Sequence, residues 1–224
     1  MENDLNKSVN EVIDLINKNN LNLAKEKTLD LIDKNKPNDV LFNILGIICL
    51  KLNKYLEAIN NFNLAIKIND KFLSAITNLG ISYREIGDFE NAIFNFKKAL
   101  KINPKMYQTL NDIALIYKSE NENLAAINYL EECIKIKPDY FNAYFNLGTI
   151  YIKINEYKKA IFYFEKTIEL KTDHYQSFFE LGEANRKLKN YEHAYYYYNK
   201  SISDKATYKK LQCFYEQNNQ EGYL

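Results

Sequence analysis

The chain has 224 residues with a formal net charge of +1, and 46% of its residues are hydrophobic. This length allows one or two domains with a sizeable core. A near-neutral charge argues against nucleic-acid binding and against attachment to a membrane surface, since both favour an excess of basic residues. The most apolar run, 41–52, is too short to span a bilayer, so we expect neither a nucleic-acid partner nor membrane insertion.

The first residues and the cysteines indicate a reducing compartment. The start, MENDLNKSVNEV, lacks the basic and then apolar segments of a secretory signal. Cys49, Cys133 and Cys213 are odd in number, far apart and without CxxC spacing. This pattern predicts small buried side chains rather than disulfides or metal ligands. We therefore expect a cytoplasmic protein.

Small residues recur along the chain at steps of 34 residues or twice that number. We number each period so that its glycine occupies position 8, and we call each numbered position a slot. A fixed period of this length predicts a stack of similar units, each of which contacts its neighbours. The recurring residues are Gly46, Gly80, Gly148 and Gly182; Ala24, Ala58, Ala92, Ala126, Ala160 and Ala194; and Pro104 and Pro138.

In chain order, a degenerate unit at about 5–38 is followed by units at 39–72, 73–106, 107–140, 141–174 and 175–208, and by a tail at 209–224. Within each unit the apolar spacing predicts one helix over roughly the first fourteen residues and a second over the next fourteen. Gly or Asn between the two helices fits a left-handed turn. Pro104 and Pro138 are expected to end second helices. The tail can form one more amphipathic helix with Leu211, Phe214 and Tyr215 facing inward.

Two sets of slots are expected to form the core. The glycines at slot 8 and the alanines at slot 20 predict the closest approach between the helices of a pair, where a larger residue would overpack the contact. Large residues at slots 4, 7, 11 and 24 form the core between stacked pairs, as Ile76, Leu79 and Phe96 do in one unit. Unit 107–140 departs from this pattern with Ala114 at slot 8 and Leu130 at slot 24.

A 34-residue helix-turn-helix unit with Leu-Gly, Tyr, Ala, Phe and Pro at fixed slots resembles the tetratricopeptide repeat (TPR). The resemblance covers nearly the whole chain. It implies an all-α fold, a right-handed superhelical solenoid of about six TPR helix-turn-helix pairs plus a C-terminal capping helix. It also implies a single TPR domain over residues 1–224.

A search for catalytic motifs gives no candidate. The sequence contains no HExxH, GxSxG, GxGxxG or Walker pattern. Its two histidines, His174 and His193, have no cysteine at metal-ligand spacing. We expect a protein that is not an enzyme and that has no cofactor, no catalytic residue and no metal site.

The resemblance implies a binding surface, because TPR stacks present slots 2, 5, 6, 9, 12 and 13 of the first helices on their concave face. Asn offers both a donor and an acceptor, so successive Asn residues can bind the main chain of an extended peptide. Asn78 and Asn146, each followed by Leu-Gly, resemble the asparagine ladder in the repeat arm of protein O-GlcNAc transferases. The alternative is that these polar residues simply belong to a solvated groove. The candidate binding residues are Asn43, Thr77, Asn78, Arg84, Asn111, Asp112, Lys118, Asn142, Phe145, Asn146, Thr149, Lys153, Phe179, Glu180, Glu183 and Arg186.

A carboxylate clamp, by contrast, is not expected. Chaperone-tail-binding members of the family use Lys at slot 5 and Asn at slot 9 of one repeat. Here slot 5 holds Asn43, Thr77, Asn111, Phe145 and Phe179, and slot 9 holds Ile47, Ile81, Leu115, Thr149 and Glu183.

These observations favour a non-catalytic scaffold that binds an extended peptide or a partner protein on the concave face, with Phe145 and Phe179 as modest apolar anchors. One alternative is an N-terminal targeting or substrate-recruiting arm of a larger transferase- or oxygenase-type enzyme. Another is self-association through an end of the stack or through the run Tyr195–Tyr198. Consecutive helical residues cannot all face inward, so part of that run is exposed or covered, and the tail is the simpler cover.

Overall fold

In a computed structural model of the chain, the described residues are 2–201, 206, 209–213 and 216; for residues 2–4 the description covers the backbone alone. Phe214 and Tyr215, which we predicted to face inward, lie outside the described residues. Regular secondary structure within these residues is α-helix alone. The helices are α1 (Glu2–Asn17), α2 (Leu21–Lys34), α3 (Asp39–Lys51), α4 (Tyr55–Ile68), α5 (Leu73–Glu85), α6 (Phe89–Ile102), α7 (Tyr107–Ser119), α8 (Asn123–Ile136), α9 (Phe141–Lys153), α10 (Tyr157–Leu170), α11 (Tyr175–Lys187) and α12 (Tyr191–Lys200).

The helix bounds follow the predicted period, which confirms the all-α fold of repeated helix pairs. From α3 to α11 every first helix begins at slot 1 and ends at slot 13, and from α4 onward every second helix begins at slot 17. The second helices therefore start two residues later than predicted, because three residues form the turn. Pro104 and Pro138 follow their second helices as expected. However, α4 and α10 end at the same slot without a proline, so proline is not required to stop the helix.

The chain divides into two compact units, Met1–Asp112 and Ile113–Leu224, and the division falls within α7. In the first unit, each helix from α1 to α5 packs against the helix that follows it, which ends the series at α6. In addition, α3 contacts α5. In the second unit, the same holds from α8 to α12, and α9 also contacts α11. Consecutive pairing of this kind is what a linear stack of repeats requires.

Every turn within a helix pair uses the left-handed backbone region at slot 15. The residues there with positive φ are Asn19, Asn53, Gly87, Asn121, Asn155 and Lys189. Gly and Asn adopt this region at low cost, as predicted. Lys189, with φ of 63°, is the exception among them because its side chain is long and has no local hydrogen bond to offer.

The glycines at slot 8 make room for the aromatic ring at slot 24. A Cβ built on Gly80 would lie 2.7 Å from two ring carbons of Phe96. On Gly182 it would lie 2.5 Å from two ring carbons of Tyr198. Gly46 and Gly148 meet Phe62 and Phe164 in the same way. The alanines at slot 20 are fully buried, but the nearest atoms to each of these glycines belong to the slot 24 ring. The predicted close approach at slot 8 therefore involves the slot 24 ring, which the sequence analysis did not name as the neighbour of these glycines.

The sizes of the residues at slots 8 and 24 vary in opposite directions along the chain. Where slot 8 is Gly, slot 24 is Phe or Tyr; Ala114 occurs with Leu130, and Val12 occurs with Thr28. All four of these exceptional residues are almost completely buried. A close-packed interior tolerates substitutions best when total volume is kept, and the chain follows that rule within each pair.

The described part of the tail continues the core of the last pair. Ala206 and Cys213 are buried and pack with Ala194 and Tyr198. Leu211, which we predicted to face inward, is 57% exposed, so that prediction is wrong. The helical residues Lys209–Cys213 turn Cys213 toward the core, and Leu211, two residues away, then points elsewhere.

No helix among the described residues has both the length and the apolar character needed to cross a membrane. All three cysteines are free and buried, as predicted.

Gly80→Ala tests the ring contact through the sign of its effect. In an unhindered helix interior this change stabilises by about 1 kcal/mol, since Ala is the better helix former. Here the new methyl overlaps the Phe96 ring, so we expect a net loss of about 1–3 kcal/mol in the free energy of unfolding. Urea denaturation followed by circular dichroism measures it. A stabilised variant would contradict the contact.

An exchange at slot 15 tests the turn conformation. Lys189→Gly removes left-handed strain of about 1–2 kcal/mol and adds a smaller entropic cost in the unfolded chain, so we expect stabilisation of roughly 0.5–1 kcal/mol. Gly87→Lys introduces the same strain, and its side chain would meet nothing within 4 Å at Cβ, so we expect a similar loss. Both are measured by the same denaturation. If both substitutions stabilised the protein, or both destabilised it, the left-handed conformation at slot 15 would not be the cause, and the interpretation would be contradicted.

Candidate functional site on the first helices

The predicted binding residues lie on α3, α5, α7, α9 and α11, the first helices of their pairs. We call the residues at slots 2, 5, 6, 9, 12 and 13 of these helices the first-helix face. Most of the predicted residues are half-buried. Asn43, Asn111 and Asn146 are buried, at 6–8% exposure, and Lys153 is exposed.

In the first unit, Arg84 connects α5 to the following first helix. Its Nη1 donates to Oδ1 of Asp112 at 2.6 Å, and its Nη2 donates to Oε1 of Glu85 at 2.9 Å. Burial raises the pKa of Asp112, although Arg84 opposes this shift. The acid and the guanidinium on this part of the face therefore satisfy each other.

The polar side chains at slots 5 and 6 of α3 and α5 differ in how many hydrogen bonds they form within the chain. Thr77 Oγ1 donates to the carbonyl of Leu73 at 2.8 Å, which is a local helix contact. Asn78 Nδ2 donates to Ser74 Oγ at 3.3 Å, and its side-chain oxygen accepts no hydrogen bond from the described residues. Asn43 Oδ1 is buried and has no partner among them either. Of these groups, the half-buried Asn78 amide has both accessible surface and unused capacity.

In the second unit, lysines link α7 to α9. Lys118 Nζ donates to Thr149 Oγ1 at 2.7 Å, and Thr149 Oγ1 donates to the carbonyl of Asn146 at 2.8 Å. Lys153 Nζ donates to the carbonyl of Lys118 and to Oδ1 of Asn121. Burial and then the neighbouring Lys153 ammonium lower the pKa of Lys118, while Glu180 opposes them. Neither lysine forms a salt bridge with a described carboxylate.

Glu183 is the centre of an ion-pair network on α11. It accepts a hydrogen bond of 2.6 Å from the Tyr198 hydroxyl and one of 3.2 Å from Arg186, and Lys209 lies 3.4 Å away. Arg186 also pairs with Glu216 at 3.3 Å. Burial would raise the pKa of Glu183, but the hydrogen bonds from Tyr198 and Arg186 outweigh it and hold that pKa below its ordinary value.

Glu180, one turn earlier on α11, has the opposite surroundings. Its carboxylate is half-buried and makes no hydrogen bond or ion pair with the described residues. Burial and then the Glu183 carboxylate raise the pKa of Glu180, and only the Lys118 ammonium opposes this. Thus the two acids of one helix face differ sharply in how well their charges are compensated.

The predicted apolar anchors are part of aromatic clusters. Phe145 lies with its ring centroid 4.8 Å from that of His174 and 5.7 Å from that of Phe164. Phe179 lies 5.8 Å from Tyr198 by the same measure. Both phenylalanines are half-buried, so part of each ring remains available on the face. Asn142, at slot 2 of α9, is also half-buried.

The four tyrosines of the run 195–198 differ in burial and in their contacts. Tyr198 is buried against Gly182, and Tyr197 donates to Glu165 at 3.2 Å. Tyr195 and Tyr196 are 49% and 53% exposed, so the described residues of the tail do not cover them.

The sequence interpretation missed two contributors to the site. His174 caps the start of α11, where its Nδ1 accepts from the backbone N–H of Ser177 at 3.3 Å. Tyr198 supplies a hydroxyl to Glu183. A signal for the second was present, because unit 175–208 alone combines Tyr at slot 24 with Glu at slot 9.

Two observations on the described residues concern metal binding and thiol reactivity. Among them, no group of three or more His, Cys, Asp and Glu side chains could hold a metal ion. Burial raises the pKa of the Cys133 thiol to about 12, which disfavours the nucleophilic thiolate. What the face provides instead is a set of hydrogen-bonding and charged groups on successive first helices.

This arrangement can be compared with known proteins. Two family models, both described as Tetratricopeptide repeat, match the chain: one at 74–106 and 141–174, the other at 41–72 and 107–140. Together these segments cover more than half of the sequence.

The chain belongs to the tetratricopeptide repeat family.

Solved TPR structures share the fold. The C-terminal part of a TPR repeat-containing protein from Cytophaga hutchinsonii is similar at a TM-score of 0.74 and 22% identity, covering 85% of this chain and 76% of that chain. A crystal structure of MamA is similar at a TM-score of 0.66 and 24% identity, and the match covers 78% of this chain and 92% of that chain. YrrB is described as a TPR protein with an unusual peptide-binding site. It is similar at a TM-score of 0.64 and 16% identity, and the match covers 85% of this chain and 97% of that chain. No curated protein sequence matches the chain.

The family assignment supports a protein-interaction scaffold, since TPR proteins bind peptides or proteins and are typically non-catalytic. At the level of the fold, the TPR solenoid expected from the sequence is confirmed.

The two acids on α11 predict opposite pH effects on stability. The folded-state pKa of Glu180 is raised, so its ionised form lowers stability at neutral pH, and this penalty disappears as the pH falls through that raised pKa. The folded-state pKa of Glu183 is lowered. Its stabilising contribution is present above the unfolded pKa and is lost as the pH falls through the folded value.

We therefore expect Glu180→Gln to be more stable than the parent at neutral pH, and Glu183→Gln to be less stable. Both differences should shrink on acidification. Urea unfolding of the three proteins at several pH values measures this. Destabilisation by both substitutions at neutral pH would show that Glu180 is as well compensated as Glu183.

Proposed function

We propose that this TPR protein is a non-catalytic scaffold that binds an extended peptide, or an extended segment of a partner protein, along its first-helix face. The observation that carries the proposal is unused hydrogen-bonding and charge capacity on half-buried side chains of that face. The Asn78 oxygen in the first unit and the Glu180 carboxylate in the second are its main examples. Half-buried polar groups gain more from a ligand than fully solvated ones, because they have already lost part of their hydration.

Other properties of the face agree with this role. Asn78 can accept a main-chain N–H without selecting a side chain. Phe145 and Phe179 offer partly exposed rings that an apolar ligand group can cover. The similar fold of YrrB, described as having a peptide-binding site, gives a precedent for peptide binding by such a stack. We expect the protein to act in the cytoplasm, where its buried free cysteines would remain reduced.

Bulky charged substitutions on the two helix types test the proposal. In the doubly substituted Asn78→Arg, Asn142→Arg protein, each of the two units carries one additional arginine on the first-helix face. The matched control, Asn63→Arg with Asn128→Arg, places the same charges at exposed positions of α4 and α8, which are second helices.

The probe is a phage-displayed library of random peptides panned on the immobilised full chain. We expect the parent and the second-helix control to enrich the same peptides, and the first-helix variant to lose them. Circular dichroism confirms that all three proteins are folded. Equal enrichment by both variants, or none by the parent, would contradict binding on this face.

A further inference from the structure

Within the proposed peptide-binding face, the charge balance of the second unit is uneven. Glu183 has three described donors or cations around it, namely Tyr198, Arg186 and Lys209. Glu180, three residues earlier on the same helix, has none in hydrogen-bonding or ion-pairing distance among the described residues. Both carboxylates are half-buried. Arg186 and Lys209 thus lie in ion-pairing distance of Glu183, and no described cation lies that close to Glu180.

The described cations on this part of the face do not form an ion pair with the Glu180 carboxylate. Lys118, on α7, is the cation that stabilises its ionised form, but the Lys118 Nζ donates to Thr149 Oγ1 at 2.7 Å. Arg186 is held between Glu183 and Glu216. Lys153 donates to the carbonyl of Lys118 and to Asn121. A cation brought by a ligand would therefore give the Glu180 oxygens a direct partner that the described part of the chain does not provide.

We propose that Glu180 forms a subsite for a cationic side chain, Lys or Arg, of the bound peptide. This rests on the proposed peptide-binding function. An ammonium or guanidinium at the carboxylate forms a charge-assisted hydrogen bond in a partly desolvated place, where such bonds are stronger than in water. The same site disfavours an acidic side chain, because the Glu180 and Glu183 carboxylates would both repel it.

An anionic ligand group is the competing possibility, since neither Lys118 nor Lys153 forms an ion pair with a carboxylate of the described residues. The structure favours the cation. Both lysines already donate to oxygen atoms of the chain, whereas the Glu180 oxygens accept nothing from the described residues. Unmet hydrogen-bonding capacity is what a ligand group satisfies at least cost.

The experiment combines peptide selection with an affinity cycle on the full chain. Random phage-displayed peptides are panned on the parent, on Glu180→Gln and on a control, Glu192→Gln. Glu192 is exposed on the second helix α12, so the control removes one acid of the same type away from the face. An enriched basic peptide and its version with norleucine in place of the basic residue are then synthesised. Fluorescence anisotropy measures their affinities for all three proteins.

We expect the parent and Glu192→Gln to enrich peptides with Lys or Arg at a fixed position, and Glu180→Gln to lose that preference. The basic peptide should bind Glu180→Gln about tenfold more weakly than the parent. The norleucine peptide should bind both equally. Enriched peptides without a basic preference, or an unchanged affinity in Glu180→Gln, would overturn the subsite while leaving peptide binding intact. Absence of enriched peptides on the parent would instead contradict the proposed function, and the subsite with it.

Discussion

In four helix pairs, the ring at slot 24 of the second helix lies against the backbone of the glycine at slot 8 of the first, so closely that a Cβ would overlap it. Van der Waals attraction weakens steeply when a small gap opens, and repulsion increases steeply when atoms overlap. This contact therefore fixes the separation and register of the two helices. The exceptions support the constraint. Where slot 8 grows to Ala114 or Val12, slot 24 shrinks to Leu130 or Thr28. Each repeat therefore keeps its total volume while its residues change.

The first-helix face follows from that packing. Because the residues at slots 7, 8 and 10 of α3, α5, α7, α9 and α11 are buried, slots 5, 6, 9 and 12 remain for contacts with neighbouring first helices or with a ligand. Most side chains there are only partly buried, and charges on them matter more than on an open surface. In the first unit Arg84 and Asp112 neutralise each other. In the second unit Arg186 and Lys209 pair with Glu183, whereas Glu180 forms no ion pair with a described residue. The two units thus combine one geometry with different charge patterns.

The period allowed the helix pairs, the buried alanines and the left-handed turns to be predicted from the sequence, because each depends on residues close in the chain. Contacts between residues on different helices were harder to predict from the sequence. The slot 24 ring was not identified as the neighbour of the slot 8 glycines, since spacing shows that two helices approach closely but not which side chain fills the gap. Leu211 was placed inward from its apolar character alone, whereas Cys213 takes that position. The bonds from Tyr198 to Glu183 and from Lys118 to Thr149 join different helices. Their geometry depends on rotamers that periodicity does not specify.

A double-mutant cycle on Gly80 and Phe96 measures the central contact most directly. Phe96→Leu opens space where Gly80→Ala needs it, so the doubly substituted repeat reproduces the Ala and Leu combination of unit 107–140. If the ring and the glycine are in direct steric contact, the double variant will be more stable than the sum of the single losses predicts, by a coupling of about 1 kcal/mol or more. Additive losses, with a coupling near zero, would show that the two positions do not constrain each other and would contradict this account of the fold.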